Sequence, residues 1–425
     1  MMIRRNAKIL VLGAALALAL PAVSSAQMSR VEGMAIQGDF IKDWSGMFTY
    51  TSQVANVGNL VNAELGVSAG LTGSSSPLDR SVGAVIGNLW EGRLGTWAIH
   101  LRQFTPQLGQ GNLTSQPSPG SIGFDPNFNP SESFDLIWGK KFGTTSLGLR
   151  MNRSFGSLEG FLDNFFGNGP ISTIESGTPD DWPFFDPNFN RNVFGLGGGI
   201  GFEMNPTSNV EASVLYQRRT FVVRDTVAGT PETYEEDGPT TYQVAARAMW
   251  QWQPNIMVVP VFKWYSFDLS TKASAGSSGL TEKNTLKGWQ LGAAGNWTLG
   301  SNDLFVLGAT FAQNKLEEAN STFETTETYA PQVFAALETH VNSWLTVRFG
   351  ANKGAWRSFE ERDPTGATYK RKESDFNMNL GAGVKVGNLQ LDAILNDNFP
   401  NNLPYFISGS PTSDMFAKVT ATYPW

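Results

Sequence analysis

The sequence predicts an all-β protein: a transmembrane antiparallel up-and-down β-barrel of about 16 strands, with 14–18 within the error of one hairpin. Three observations predict it. Apolar and polar residues alternate with a period of two along many segments. Short and long connections follow one another along the chain, and an export signal precedes them. No later apolar run is long enough for a spanning helix, which needs about 20 residues.

Residues 1–26 have the organisation of a secretory signal peptide. Basic residues precede an apolar stretch at 9–23, and the small residues Ser24 and Ala26 predict cleavage before Gln27. Pro21 interrupts the apolar stretch, which is too short to span a bilayer as a helix. The chain contains no Cys, which excludes disulfides and thiolate chemistry. We therefore expect export of the mature chain.

The alternation is clearest at the end of the chain. Tyr423 is the third residue from the end and Trp425 is the last, and both lie on the apolar face of the final predicted strand. This ending resembles the C-terminal signature of Gram-negative outer-membrane β-barrels. The resemblance implies an outer-membrane location, a lipid bilayer around the barrel, and recognition by the outer-membrane assembly machinery. Tyr423 and Trp425 would form that assembly signal.

Other segments repeat the pattern with one face apolar enough for lipid and one polar face. The clearest are Tyr242–Trp252, Trp289–Leu299 and Phe376–Val386. Their length suits a spanning strand of about 9–11 residues. At 82–90 and 302–316 both faces are apolar, so the strand is less distinct there.

The connections give the strand count. Fifteen of them predict 16 strands, with short periplasmic turns and long external loops. The first strand begins near Leu60, so we assign 60–425 to the barrel. The seven tight turns fall at Glu91–Arg93, Gly143, Asn205–Thr207, Gln253–Pro254, Gly300–Ser301, Val341–Asn342 and Gly387. The eight longer connections fall near 72–80, 105–131, 154–192, 225–239, 271–283, 317–325, 358–372 and 399–411.

A barrel of this size is wide enough for a water-filled channel. The predicted inward positions carry more basic than acidic side chains, which suggests a preference for anions. The alternative, that these charges pair with one another across the wall, stays open. The predicted pore-lining residues are Arg102, Arg150, Arg219, Arg247, Lys263, Arg348, Lys385, Glu211 and Glu338, accompanied by His100, Asp135, Lys141, Asp392 and Lys418.

Two segments are candidates for filling the lumen. Residues 27–59 are broken by glycines and mix aromatic with acidic residues, which suits a lumen plug or a periplasmic extension. A plug in this position would resemble the one found in the long-chain fatty acid transporter family, although the Asn-Pro-Ala sequence expected of that family is absent here.

The second segment is a long Phe-rich loop at 154–192, which we expect to fold inward as a constriction. Its candidate constricting residues are Phe161, Phe165, Phe166 and Trp182. Gly195–Gly201 would offer this loop a wall without side chains. Alternatively the loop caps the barrel or packs against a neighbouring subunit, and a homotrimer stays open.

The hexapeptide FDPNFN occurs at Phe124–Asn129 and again at Phe185–Asn190. Its opening resembles a calcium loop, but neither copy has the Gly and Glu that such a loop needs at its sixth and twelfth positions, which leaves a weaker oxygen site for calcium as one interpretation. Asp-Pro-Asn favours a type I turn, so a duplicated rim turn is the preferred interpretation. A further interpretation is that the Phe residues of the repeat contact a ligand at the pore mouth.

These features predict an outer-membrane channel for passive or facilitated diffusion of small solutes. The alternatives are a plugged transporter for hydrophobic compounds and a structural or surface-binding barrel. The two His residues, His100 and His340, do not belong to any catalytic motif, so we predict no enzyme, no cofactor and no metal. The net charge of −7 and the lack of a basic patch argue against a nucleic-acid partner.

Overall fold

The computed structural model describes residues 29–66, 80–87, 89–102, 132–158, 188–227, 230–236, 240–268, 271–273, 284–300, 303–318, 324–362, 365–373, 376–395 and 416–425. These residues form one closed antiparallel barrel of 16 strands with up-and-down connectivity. The predicted fold class is therefore confirmed. No helix among these residues has the length and apolar character needed to cross a membrane.

The strands run in chain order around the barrel. The first eight are β1 Leu60–Gly66, β2 Arg80–Ile86, β3 Thr96–Arg102, β4 Glu132–Phe142, β5 Thr145–Leu158, β6 Asn188–Asn205, β7 Ser208–Val227 and β8, in two parts, Thr230–Glu236 and Thr240–Gln253. The others are β9 (Ile256–Asp268 and Thr271–Ala273), β10 Asn284–Leu299, β11 Asp303–Glu318, β12 Glu324–His340, β13 (Leu345–Gly354 and Arg357–Arg362), β14 (Thr368–Glu373 and Phe376–Val386), β15 Leu389–Leu395 and β16 Phe416–Pro424.

The barrel closes where the first strand meets the last. β1 pairs with β16 from Leu60 opposite Pro424 to Gly66 opposite Lys418. Because every described strand then has two partners, none of them is left with an unpaired backbone edge against lipid. Closure of this kind is what allows β-strands to span a bilayer, as they do in outer-membrane β-barrels.

The strands present an apolar face outward, and their inward face also carries polar and charged side chains. On β5, Leu147 and Leu149 are exposed on the outer face, whereas Ser146, Arg150 and Asn152 are buried inside. β8 repeats this, with Tyr242 and Val244 exposed and Gln243 and Arg247 buried. The tight-turn end carries exposed aromatic residues: Trp90, Trp97, Trp250, Trp252, Trp344, Tyr423 and Trp425. Such a girdle is typical of the membrane–water interface.

The predicted tight turns are confirmed where the structure describes them. Gly143, Gly300 and Gly387 have φ values of +60°, +58° and +61°, a conformation that glycine adopts without steric cost. Two prolines inside strands, Pro260 and Pro331, interrupt the ladder to one neighbouring strand. Beside Pro331 the β11–β12 register shifts between Thr310 and Ala312.

Two predicted loops are wrong. In 225–239, Asp225 pairs with Glu232 and Val222 with Glu235, so β7 and β8 continue as a hairpin. In 358–372, Ser358 pairs with Lys372 and continues the hairpin of β13 and β14. These segments are polar, but their Thr, Val and Tyr residues favour a strand. Polarity alone therefore misled the loop assignment.

The FDPNFN repeat is only partly described. Asn188 and Asn190 of the second copy belong to β6 and pair with Arg224 and Val222 of β7, so this part of the repeat is strand. The start of the turn is not described, so the duplicated rim turn stays a prediction. The first copy and residues 185–187 lie outside the described residues. β5 and β6 also extend into the predicted loop 154–192, where Phe155 pairs with Asn192.

Candidate functional site

The N-terminal segment, residues 29–59, lies inside the barrel. It contains a short helix α1 (Ser29–Glu32) and three 3-10 turns at Gly38–Phe40, Trp44–Phe48 and Thr51–Asn56. Phe40 packs against Phe334 of the wall with ring centroids 4.7 Å apart. Its buried apolar side chains form two clusters with inward wall residues such as Val85, Ala98, Val259, Val306 and Ala336. The segment therefore has a hydrophobic core shared with the wall.

Wall glycines make room for the segment. A Cβ at Gly350 would overlap the carbonyl oxygen of Met34, and one at Gly148 would overlap that of Thr51. A Cβ at Gly199 would lie 2.9 Å from the Ser52 nitrogen. The glycine stretch of β6 thus does provide a wall without side chains, but its partner here is the N-terminal segment. For Gly199, the prediction that the 154–192 loop packs against it is therefore wrong.

Arg247 anchors the middle of the segment. Its Nε donates to Glu211 Oε2 at 2.7 Å, and its Nη2 donates to Gln53 Oε1 at 2.7 Å. Nη1 donates to the Asp39 carbonyl at 3.1 Å. The guanidinium also lies 4.1 Å from the ring centroid of Tyr50, which is fully buried. One wall arginine therefore holds three separate parts of the segment.

A second network joins α1 to the wall. Arg30 donates to Glu338 Oε2 from Nε at 2.9 Å and to Oε1 from Nη2 at 2.8 Å. It also pairs with Asp43 at 3.0 Å within the segment. Arg348 pairs with the same Glu338 at 2.6 Å and with Asp392 at 2.7 Å. Glu338 is thus shared between a segment cation and a wall cation.

The other buried wall cations are paired as well. Arg150 donates to Asp135 Oδ1 at 2.7 Å and to the Phe48 carbonyl at 2.5 Å. Lys263 pairs with Asp39 of the segment. Arg357 pairs with Glu327 at 2.6 Å, and Lys418 with Glu32 at 3.0 Å and Glu64 at 3.3 Å. Every buried Arg or Lys of the described strands therefore has a carboxylate partner.

The structure places most of the predicted pore-lining residues in the interior of the barrel. Arg150, Arg247, Lys263, Arg348, Glu211 and Glu338 are all buried inside, as are His100, Asp135, Asp392 and Lys418. Lys385 is exposed on β14 beside the tight turn at Gly387, and Lys141 is exposed and pairs with Glu203 at 2.6 Å. Arg102 and Arg219 lie on β3 and β7, where only their backbone is described.

The remaining predicted residues lie elsewhere. Phe161, Phe165, Phe166 and Trp182 are outside the described residues, so the constriction stays a prediction. Tyr423 and Trp425 are about half-exposed beside the tight-turn girdle. Within the described ranges, no group of three or more His, Asp or Glu residues is arranged to hold a metal ion.

Sequence reasoning missed the carboxylates of the N-terminal segment. Glu32, Asp39 and Asp43 neutralise Lys418, Lys263 and Arg30 respectively. The basic excess expected inside the barrel is therefore offset. The predicted strands with two apolar faces, at 82–90 and 302–316, could have indicated that a segment fills the barrel, because an inward apolar residue in a barrel needs a packing partner. Val85 and Val306 come from those strands, and both pack in the clusters shared with the segment.

A cavity remains between the segment and the wall formed by β9–β14. Its volume is about 100 Å³. Glu32, Ala35, Ile36 and Gln37 of the segment form one side. The residues of the wall that line it are mainly neutral and hydrogen-bonding or aromatic: Tyr265, Trp289, Gln290, Thr310, Ala312, Asn314, Tyr329, Gln332, Phe334, Asn352, Asn377 and Asn379. We call this space the lumen cavity.

Among protein-family profiles and curated proteins, none matches this chain. Several solved structures resemble its fold. A FadL homologue from Pseudomonas aeruginosa is 11% identical with a TM-score of 0.45, over 93% of this chain and 98% of that one. The toluene transporter TodX from Pseudomonas putida is 9% identical with a TM-score of 0.37, over 94% and 95%.

A larger barrel is similar over part of its length. BauA, the ferric preacinetobactin receptor from Acinetobacter baumannii, is 9% identical with a TM-score of 0.45. The match covers 79% of this chain and 53% of BauA, so the chain spans about half the length of that receptor. These TM-scores are low, and the barrel described above rests on its own strand pairing.

Proposed function

We propose that this outer-membrane barrel is a plugged transporter for small hydrophobic compounds. The observation that carries the proposal is the seating of the N-terminal segment, whose apolar side chains and carboxylates fill the lumen and neutralise its cations. A channel that selects charged solutes is lined by charged side chains that face a water-filled pore. Here the buried cations of the wall lie in a packed interior and are paired with carboxylates instead.

Hydrophobic compounds fit the space that is left. Glu32 is the one charged side chain among the residues that line the lumen cavity, and it pairs with Lys418 at 3.0 Å. Ile36, Ala312 and Phe334 supply apolar surface there. Desolvating a charged solute in such a site is costly, whereas burying an apolar one is favourable. Passage through the barrel would then require the segment to move.

The first test is electrical. Native protein, with insertion verified by resistance to protease, is placed in a planar bilayer under a salt gradient. We expect no steady conductance, because the segment blocks the ion path. Large, steady steps with an anion-favouring reversal potential would contradict the plugged transporter and restore the open channel.

The second test measures transport. Cells that produce the protein are compared with vector controls for uptake of the hydrophobic dye N-phenyl-1-naphthylamine. We expect faster uptake with the protein present. Equal uptake together with a silent bilayer would contradict transport and favour a structural or surface-binding barrel.

A further inference from the structure

We infer that the lumen cavity is a binding site for an uncharged amphipathic molecule: a small apolar ring or chain bearing one hydrogen-bonding group such as an amide, alcohol or ketone. This deepens the proposed function and rests on it only for the route by which the ligand arrives. The inference is carried by the lining itself, which combines amide side chains with aromatic and aliphatic ones.

The amides leave hydrogen-bonding groups available to a ligand. Gln37 uses its Oε1 to accept from Gln290 at 2.5 Å, which leaves its NH2 group. Asn379 uses Nδ2 to donate to the Glu32 carbonyl at 2.7 Å, which leaves its Oδ1. Asn377 makes no side-chain hydrogen bond within the described part of the chain, and it is exposed. Donors and acceptors therefore face the same space, as a neutral polar head group requires.

Two other cavity amides are committed to the structure. Asn352 donates to the Ala35 carbonyl at 2.9 Å and accepts from Gln332 Nε2 at 3.3 Å. These hydrogen bonds of Asn352 and Gln332 fix the shape of the site and its distance from the segment. A ligand would thus meet a preformed rim of fixed amides around a few unfilled hydrogen-bonding positions.

The apolar part of the ligand has its own surface. Ile36 and Phe334 are buried, and Phe334 is held by its ring contact with Phe40. Tyr329 is buried and adds a second ring to the lining. A volume of about 100 Å³ is on the scale of a small ring. These walls favour an aromatic or alicyclic body over an extended polar one.

The position of the cavity places this ligand against the segment. On β13, Asn352 lies farther from the tight turn than Arg348, which is buried among the segment's anchors. On β12, Phe334 and Tyr329 likewise lie farther from the turn than Glu338. The cavity is therefore on the long-loop side of α1, the external side in barrels of this class. A ligand arriving from outside would contact Gln37 before passing the segment.

The test is calorimetric titration of the full-length folded protein in detergent with three uncharged probes: benzamide, benzyl alcohol and cyclohexanone. Benzoate serves as the charged counterpart of benzamide, and ethylbenzene as a ring without a hydrogen-bonding group. We expect at least one uncharged polar probe to bind at least about tenfold more tightly than both counterparts. Benzoate binding as tightly as benzamide, or no binding by any of the three, would overturn the inference.

Variants locate the site. Asn377→Leu and Gln37→Leu should each weaken binding by at least about fivefold, the loss expected for one neutral hydrogen bond. Asn377 is exposed and unpaired within the described residues, so its replacement should leave folding intact. Gln217→Leu is the matched control, because Gln217 is a buried lumen amide on β7 that does not line the cavity. Equal weakening by Gln217→Leu would place the ligand elsewhere and contradict the inference.

The dye-uptake experiment separates the two proposals. Probe binding that Asn377→Leu abolishes, with no protein-dependent uptake, would contradict the transporter and leave the binding site standing. Protein-dependent uptake with no probe binding would contradict the site and leave the transporter standing.

Discussion

Arg30 binds Glu338 through two parallel hydrogen bonds of 2.9 and 2.8 Å, and these join the start of the N-terminal segment to strand β12. The pair is 308 positions apart in the chain. Two-point binding of this kind fixes the orientation of both side chains as well as their distance. Glu338 also pairs with Arg348, so the two arginines share this carboxylate. Each has one further partner, Asp43 for Arg30 and Asp392 for Arg348.

Removing that carboxylate should therefore cost more than removing Arg30. Glu338→Ala leaves two arginines without this partner, and Arg348 is almost fully buried. We expect it to lower the free energy of unfolding by about 3 kcal/mol, the low end for breaking a buried ion pair. Arg30→Ala leaves Glu338 paired with Arg348 and should cost less.

Urea unfolding of both variants in micelles, followed by Trp fluorescence, measures the difference. Lys370→Ala is the control, because Lys370 and its partner Glu360 are exposed and such pairs contribute about 0–1 kcal/mol. A loss with Arg30→Ala as large as that with Glu338→Ala would contradict the shared role of the carboxylate.

Adding a methyl group to the wall should unseat the segment. Gly148→Ala places a Cβ on the Thr51 carbonyl, so we expect about 1–3 kcal/mol of destabilisation and a measurable leak current in bilayers. Gly198→Ala is the matched control in the neighbouring strand, where the nearest atom to the new Cβ is 3.7 Å away. If both variants conduct equally, the glycine contacts do not seat the segment.

Locking the segment to the wall should stop transport. The side-chain oxygens of Ser29 and Thr420 are 2.7 Å apart, so thiols in their place would lie within reach of a disulfide. The chain has no Cys of its own to interfere. We expect oxidised Ser29→Cys/Thr420→Cys protein to show background dye uptake and reduced protein to recover it.

Each single Cys variant controls for the loss of the native hydroxyl, including the Thr420 bond to Glu64 at 2.8 Å. Native uptake by the oxidised double variant, with disulfide formation verified on a gel, would mean that solutes pass without movement of this end of the segment.

Asp39 and Lys263 form a buried pair between segment and wall, so removing one partner should be worse than removing both. We expect Asp39→Asn and Lys263→Met to destabilise the protein by about 3 kcal/mol each, and the double variant to lose less than either. A double-mutant cycle on unfolding free energies measures this coupling. Additive losses would show that the two side chains act independently.

The barrel could be predicted from the sequence because its signals are local. The period-2 alternation alone places Leu147 and Arg150 on opposite faces of their strand, and Gly143 by itself indicates the tight turn in which it lies. The strand extension at 225–227 and 230–236 could not be predicted with the same rules. Its pairing depends on a hairpin that is polar on both sides of the turn, and composition does not separate this from a loop.

The contents of the barrel depend on contacts that no local pattern records. Asp39 and Lys263 are 224 positions apart, and the sequence around either residue does not indicate that the two form an ion pair. The inward cations could be placed on the correct face, but not matched with Glu32, Asp39 or Asp43. The glycines of β6 indicated a close approach, yet the chain approaching them could not be deduced from the wall alone.

The hydrogen bond between Ser29 and Thr420 also bears on the order of assembly. It joins positions 391 residues apart, and Thr420 lies in the last strand. The seat for the beginning of the segment is therefore incomplete until strand β16 has joined the barrel and closed it. Contacts of such long sequence separation form late in folding. Until then the apolar residues of the segment have to be shielded by something other than their own barrel, so export and membrane insertion set the time at which the lumen is filled.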